Sequence, residues 1–359
     1  MSRAGSLDRL RQRNERIGSP APGEARVSVR AIGLNFADVF SCLGLYSATP
    51  SGPFIPGLEF SGVVEDVGQP PACAPSTGIS PWHPGDRVVG LTRFGAYATS
   101  LNVDVRYLDH LRPDWSFADG AAYPVQALTA WYGLNRLGGL KPGDAVLVHS
   151  AAGGVGLNAL AMIRTRAGLV VATVGTEAKK AFLLEHQHCT ASQVIVRNRR
   201  RFGGQLDEAL EAQHLDGFDI VFDGVGGPFF RPGYDRLRRG GRLVIYGAAD
   251  FMSPGRRPNY ARLAIRYLRR PRLDPLAMIT DNKSVMGFNL IWMWDRVDEL
   301  VSMYRELAPI LTSPPYVGRI FPFAKAPEAV RHLQSGRSMG KVVIEVPFAR
   351  VSAASAPFR

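Results

Sequence analysis

The residues best suited to chemistry lie in the run Ala151-Ala152-Gly153-Gly154-Val155-Gly156. The run follows the short apolar stretch AVLVHS and precedes helical periodicity from Leu157 to Arg166. Small residues at a strand-to-helix turn let the backbone approach a pyrophosphate, and the helix start adds free N–H groups and a favourable dipole. The pattern is A-x-G-x-x-G, with Ala151 where the usual dinucleotide fingerprint has glycine. Alone, such a turn can simply pack tightly; its place between strand and helix is what points to a dinucleotide. The next apolar strand, LVVATV, ends at Val174, and Gly175 and Thr176 follow with no acid at the tip. A site that prefers NADH places a carboxylate there for the ribose hydroxyls. Here Thr176 offers a hydroxyl at a helix start and Lys179 a cation one turn on, so the pattern selects NADPH. The competing reading is a capped helix whose Lys179 and Lys180 are solvated.

Metal chemistry has less to work with. Cys42, Cys73 and Cys189 are scattered, no two of them at metal-ligand spacing, and the seven histidines form no ligand pattern. Zinc alcohol dehydrogenases need a His-Glu pair in a Pro-Gly-His-Glu turn and often add a lobe of four close cysteines. Here the turn reads Pro56-Gly57-Leu58-Glu59 and the lobe is missing, so no metal is expected. Cys42 reads as a small buried apolar residue. Three cysteines are too few for a disulfide framework and suit a reducing compartment, which makes a cytoplasmic location the expectation. The first 18 residues are polar and Arg-rich. They lack the apolar segment of a secretory signal, and Asp8 and Glu15 argue against a mitochondrial presequence.

Two kinds of element must position these groups. A chain of 359 residues exceeds one ordinary core, so two domains are expected. With 46% apolar and 21% charged residues it is an ordinary globular composition, and no run approaches the roughly 20 apolar residues of a membrane span. From Arg26 to Val67 the pattern is short and β-like: RVSVRAI alternates, and SGVVEDVG follows a turn. From Ala145 strands alternate with helices: AVLVHS, LVVATV, QVIV, FDIVFD, GGRLVIYGAA and SVMGF, with a helix from Thr176 to Glu185 capped by Thr176. That alternation implies a parallel, doubly wound sheet. A helix after Val297, the stretch VGRIFPF, a helix from Lys325 to Gln334 and the strand KVVIEV complete the chain. Pro70 to Pro84 reads as a surface loop, and the tail after Pro347 as a fraying end.

Gly33-Leu34-Asn35-Phe36-Ala37-Asp38-Val39, Gly44-Leu45-Tyr46, Pro56-Gly57-Leu58-Glu59-Phe60-Ser61-Gly62, Pro84-Gly85-Asp86-Arg87-Val88 and Gly340-Lys341-Val342-Val343 occur in the order and spacing of one family. The chain resembles, over nearly its whole length, the zinc-free medium-chain dehydrogenases/reductases of the quinone oxidoreductase (zeta-crystallin-like) type. YGAADFMSPGRRPNY, SVMGFNLIWM and GRIFPFAKAPEAVRHLQSGRSMGKVVIEV are similar to its vesicle amine transport protein (VAT) subgroup. GSLDRL and ATVGTEAKKAFL resemble enoyl reductase domains of polyketide and fatty-acid synthases.

The resemblance implies an α/β protein: a GroES-like β-rich catalytic domain over residues 1–126, a Rossmann NADPH-binding domain over 127–288, and a return to the catalytic domain over 289–359. NADPH would lie along Ala152 to Gly156, with Gly175, Thr176 and Lys179 at its 2′-phosphate. Thr129 would lie near the nicotinamide, Gly224, Tyr246 and Gly247 would line the strand ends, and Phe288 and Asn289 would cover the ring. Lys341 would reach back to the phosphates. Arg197 stands where a tyrosine is common near the adenine; it would stack there or pair with the phosphate. Tyr46 and Asn35 are the catalytic candidates, as donors to the oxyanion left by hydride transfer, and Asp38 would orient the neighbouring loop. Turn-forming hydrogen bonds are the alternative for Asn35 and Asp38. The implied activity is hydride transfer from NADPH to a quinone, or to the β-carbon of an enone. A lipid-associated protein with weak or no turnover is the alternative, and homodimerisation is implied by edge pairing of the Rossmann sheets.

The formal net charge of +12 is concentrated in one place. Arg256, Arg257, Arg262, Arg266, Arg269, Arg270 and Arg272 crowd one segment, with Leu263, Ile265, Tyr267 and Leu268 among them. Such a segment suits contact with anionic lipid, which would place the protein peripherally at membranes; a solvated face or a dimer interface is the plainer reading. Nucleic acid ranks last, because Tyr260 and Tyr267 are its only aromatics.

Overall fold

The computed structural model describes residues 1–69 and 82–347. Most of the loop expected at Pro70 to Pro84 and all of the tail after Pro347 fall outside the described residues.

Alternation in RVSVRAI is what a strand with one buried face requires. It becomes β1 (Glu24–Leu34), with Ala25, Val27 and Val29 buried and the residues between them half-buried. Helix α1 (Phe36–Leu43) follows at once, burying Val39, Cys42 and Leu43 on one side. It was not expected: two turns are too short to reveal a helical period. Strands β2 (Glu59–Val67), β3 (Arg87–Leu91), β4 (Ser100–Asp104) and β5 (Leu108–His110) come next, then α2 (Phe117–Ala121) and α3 (Pro124–Trp131). Helix α3 runs on into a π-helical turn over Tyr132–Leu137.

From Ala145 the central strands become largely apolar, as strands covered on both faces must be. They are β6 (Ala145–His149), β7 (Leu169–Val174), β8 (Val194–Val196), β9 (Phe218–Asp223), β10 (Leu237–Ile245) and β11 (Ser284–Gly287). Between them lie α4 (Gly154–Thr165), α5 (Glu177–His186), α6 (Phe202–Ala212), α7 (Phe230–Asp235), α8 (Tyr260–Leu268) and α9 (Pro275–Asp281). Helix α4 starts three residues before the expected Leu157, inside the glycine-rich run, and Thr176 does cap α5. The chain closes with α10 (Val297–Leu307), β12 (Val317–Pro322), α11 (Ala326–Gln334) and β13 (Lys341–Glu345).

These elements form two sheets. The six strands of the second are all parallel, in the order β8-β7-β6-β9-β10-β11. That is the doubly wound order, whose connections diverge at β6 and β9 and leave a crevice at the strand ends. The first sheet runs β12-β13-β1-β2-β3-β5, with β4 also on β1. The final strand does return to it: Ile32 faces Ile344 and Leu34 faces Val342, antiparallel. The seam between the sheets is narrow. A bridge joins Gly153 to Gly340, and the Gly340 N–H donates to the Ala152 carbonyl at 2.8 Å.

One buried group in the parallel sheet ties stability to pH. His149 ends β6 with no exposure, and its Nδ1 lies 2.9 Å from Thr173 Oγ1 on β7. Burial pushes its pKa down to about 4, against the pull of Asp223. The unfolded chain therefore takes up a proton between about pH 6.5 and 4 that the folded chain refuses. Stability from this group is complete above the unfolded value and is lost as pH falls, by about 1.4 kcal/mol per unit and roughly 3 kcal/mol in all. Urea midpoints from pH 7 to 4.5 should fall less steeply in His149→Gln than in the parent chain. Parallel curves for the two proteins would mean that His149 does not set this slope.

Candidate active site

The glycine-rich run sits where its sequence placed it, between β6 and the first turn of α4. The first N–H groups of a helix have no intrahelical partner, so this turn presents donors to whatever lies in the crevice. Close approach explains the glycines. A Cβ on Gly156 would come within 2.6 Å of the Ala151 backbone, and one on Gly154 would collide with the Gln126 side chain.

In front of the turn is a cavity of about 220 Å³. Gly153 to Gly156, Thr129, Tyr246 and Gly247 form one side, and Asn35, Tyr46 and Leu58 the other. Phe288, Asn289, Ile291 and Trp294 complete the wall, and no charged side chain lines it. Thr129 Oγ1 donates to the Val125 carbonyl at 2.6 Å, which satisfies a hydroxyl on an otherwise apolar helix face. Tyr246 stacks on Phe222, with ring centroids 4.3 Å apart. The Tyr46 hydroxyl donates to Asn289 Oδ1 at 2.8 Å, joining the two sides across the mouth. Burial raises its pKa to about 12, with Asn289 pulling the other way, so the phenol stays protonated at neutral pH.

Behind Asn35 lies an ion pair with no solvent exposure. Lys341 Nζ donates to Glu59 Oε1 and, at 2.9 Å, to Asn35 Oδ1. Asn35 Nδ2 donates to the same Glu59 oxygen at 2.6 Å, and Glu59 Oε2 accepts the Val125 N–H at 2.8 Å. The Asn35 amide is thus fixed: its oxygen must face the ammonium and its nitrogen the carboxylate. One of its two N–H bonds stays uncommitted on a side chain that lines the cavity.

A second, larger groove of about 720 Å³ shares walls with the cavity at Phe36, Ser150, Gly153 and Ser338. Ala152, Gly175, Lys179 and Arg197 line it. Lys179 Nζ donates to the Gly336 carbonyl at 2.6 Å. Burial and the nearby Arg197 bring its pKa down to about 8, which an incoming anion would reverse. Arg197 Nη1 donates to Thr173 Oγ1 at 2.9 Å, and the guanidinium lies 5.3 Å over the Phe229 ring. Burial lowers its pKa to about 10, so it remains a cation.

Most residues expected at the site therefore line one continuous cleft, and four do not. Lys341 lines neither hollow: Glu59 and Asn35 hold its ammonium behind the wall. Asp38 lies in the first turn of α1 with 1% exposure, and its Oδ2 accepts the Asn35 N–H at 2.8 Å. It caps a helix and lines neither hollow, and burial raises its carboxyl to about 7. Thr176 lies just outside the groove, its Oγ1 accepting the Lys179 N–H at 3.3 Å. Gly224 is covered by the Tyr246 ring, which leaves no room for a Cβ. Glu59 and Gln126 were missed. A glutamate in a buried strand and a lysine heading KVVIEV are each costly alone, and that shared difficulty was the available signal.

Removing one member of the pair should show its weight. Lys341→Met leaves Glu59 charged and dry, and about 3–5 kcal/mol of stability should go. Urea unfolding measures the loss, and Glu59→Gln added to Lys341→Met should recover much of it. A loss below about 1 kcal/mol would mean that the pair is not structural.

The family models that match are the alcohol dehydrogenase GroES-like domain, over residues 21–112, and a zinc-binding dehydrogenase model, over 191–344. The chain is 31% identical to the rat (Rattus norvegicus) synaptic vesicle membrane protein VAT-1 homolog, over 95% of this chain and 81% of that protein. Among solved structures, it resembles Escherichia coli quinone oxidoreductase complexed with NADPH. That match has a TM-score of 0.77 and 26% identity, and covers 96% of this chain and 98% of the other. It also resembles the CurK enoyl reductase, with a TM-score of 0.76 and 25% identity over 97% and 98% of the two chains. The donor set does not suit the zinc named in one model's description. Leu58 lines the cavity, Glu59 is spent on Lys341, and among the described residues no three His, Cys, Asp or Glu side chains converge. The chain belongs to the medium-chain dehydrogenase/reductase family, in its zinc-free quinone oxidoreductase branch near the VAT-1 homologues.

Proposed function

We propose that this protein is an NADPH-dependent, zinc-independent reductase that delivers a hydride to a quinone or a related conjugated carbonyl. The observation that carries this reading is the cleft itself. An uncharged apolar cavity, with a phenol and an amide on one wall and the glycine turn on the other, opens into a basic groove. Bound NADPH supplies the hydride. The chain's own residues exclude water, hold the acceptor and meet the charge that develops on it.

Leu58, Ile291 and Trp294 give the acceptor an apolar seat, which favours a neutral molecule. As its oxygen gains electron density, the free N–H of Asn35 and the Tyr46 hydroxyl are the donors that would meet it. Tyr46 would exchange Asn289 for the acceptor oxygen and give up its proton there, regaining one from solvent. A quinone with one hydride and one proton balances as the hydroquinone. For an enone the hydride goes to the β-carbon and the proton to the α-carbon. The likeness to CurK keeps the enone reading in the test.

The test follows loss of NADPH, and separately NADH, against a panel of quinones and short enones. NADPH and quinones should give the faster loss; loss with enones alone would move the protein to the enoyl reductases. Tyr46→Phe should cut turnover about ten- to a hundredfold while NADPH binding changes less than about twofold. Equal turnover would remove Tyr46 from the mechanism.

A second reading, association with anionic membranes, is favoured by the outer faces of α8 and α9. Tyr260, Ile265, Tyr267, Leu268, Leu276 and Ile279 are 52–76% exposed there, beside Arg269 and Arg270. No helix among the described residues is long and apolar enough to cross a membrane, so contact would be peripheral. The protein should float with anionic vesicles and not with neutral ones, and Leu276→Asp with Ile279→Asp should abolish flotation. Failure to float with either kind would dispose of this reading.

A further inference from the structure

The arginines of the 256–272 segment do not share one environment. Arg269 and Arg270 point to solvent, whereas Arg266 lies 3.9 Å from Asp250. Arg256 and Arg262 line the basic groove, and so does Arg331, which α11 carries. We propose that Arg262 and Arg331 are a two-sided clamp for the 2′-phosphate of the bound dinucleotide, closing over a floor made by Lys179 and Arg197. The inference rests on the NADPH reading above and deepens it.

Charge decides the matter. Five cations line the groove: Lys179, Arg197, Arg256, Arg262 and Arg331. Asp250 is the one carboxylate in that wall, and it already has Arg199 at 3.6 Å and Arg266 at 3.9 Å. Arg256 has Asp8 at 3.1 Å. Among the described residues, no carboxylate lies within 4.0 Å of Arg262 or Arg331, so these two enter the groove as unpaired cations. The pyrophosphate of a dinucleotide is served by the N–H groups at the start of α4. The 2′-phosphate brings nearly two further negative charges and needs cations instead.

The backbone holds both arginines in place. Gln334, one turn after Arg331 on α11, donates to the Ser253 and Gly255 carbonyls at 2.8 and 2.7 Å. The Asn259 N–H donates to Ser253 Oγ at 3.0 Å, and Asn259 Oδ1 accepts the Arg262 N–H at 2.9 Å. The start of α8 and the end of α11 are therefore tied to one loop, and both helices present an arginine to the same groove. Arg331 belongs to the part of the chain that packs on the first sheet, Lys179 to the second. A phosphate held by both joins the two sheets at the outer end of the cleft.

The test uses the full chain and binding rather than turnover. NADPH and NADH are titrated by nicotinamide fluorescence, and 2′,5′-ADP and 5′-AMP by calorimetry, on the parent, Arg262→Gln, Arg331→Gln and the double variant. Both side chains are exposed, which moderates each effect. Each single change should weaken NADPH and 2′,5′-ADP about five- to tenfold, and the double about thirty- to a hundredfold. NADH and 5′-AMP should stay within about twofold. Parent protein that binds NADPH and a double variant that binds it equally well would overturn the clamp alone. Equal weakening of NADPH and NADH would also overturn it, placing the arginines at the pyrophosphate. A parent that binds neither nucleotide would overturn the cofactor reading and the clamp with it.

Discussion

The buried pair of Lys341 and Glu59 is the constraint on which the rest of the cleft depends. Taking two charges out of water costs several kcal/mol per ion, and only close pairing with further hydrogen bonds offsets that. Here each further bond goes to a different segment. Asn35 lies at the junction of β1 and α1, Val125 at the start of α3, and Lys341 opens β13 one residue after the link between Gly340 and Ala152. One ion pair thereby sets the distance between the wall that carries Asn35 and Tyr46 and the turn that begins α4. Gly33 shows how tightly it is enclosed: a Cβ there would meet the Ala121 carbonyl at 1.9 Å and both Glu59 and Lys341 at 2.8 Å.

The cleft has two electrostatic characters along its length. Among the described residues its inner part is lined by no charged side chain, and the Lys341–Glu59 pair is sealed behind Asn35. Its outer part is strongly basic. Hydride transfer needs a dry seat for the ring and the acceptor, while the phosphates of a dinucleotide need donors and cations. A chain that buried its cations evenly would serve neither. The polar contacts of the inner part bridge the two sheets, as Tyr46 to Asn289 does.

Two of the departures from family expectation, Lys341 and Asp38, are buried titratable groups whose roles no periodic pattern disclosed. Lys341 lies 282 residues from Glu59, and no local pattern discloses such a partner. Asp38 is three residues from the N–H that it caps, yet the helix it caps is only eight residues long and left no periodic trace. The arginine segment is a similar case. Composition marks it as one basic patch, but α8 sets the exposed Arg262 on the wall of the groove, sends Arg266 to Asp250 and leaves Arg269 and Arg270 to solvent.

Much was settled by sequence alone, because it depends on local chemistry. Continuous apolar strands alternating with helices can only be buried on both faces, and that fixed the parallel sheet from Ala145 onward. The small residues from Ala151 to Gly156 marked the turn where a backbone must approach a phosphate. Thr176 marked a helix start, and the missing acid at the tip of β7 marked the kind of nucleotide. Tertiary structure decided what depends on distance in space: that β13 lies on β1, that Tyr46 meets Asn289, that Lys341 pairs with Glu59, and that Arg331 lines the groove. The physical reason is that burial and charge pairing are properties of surroundings. A residue's type states what partner it needs, and only the folded chain determines which partner it finds.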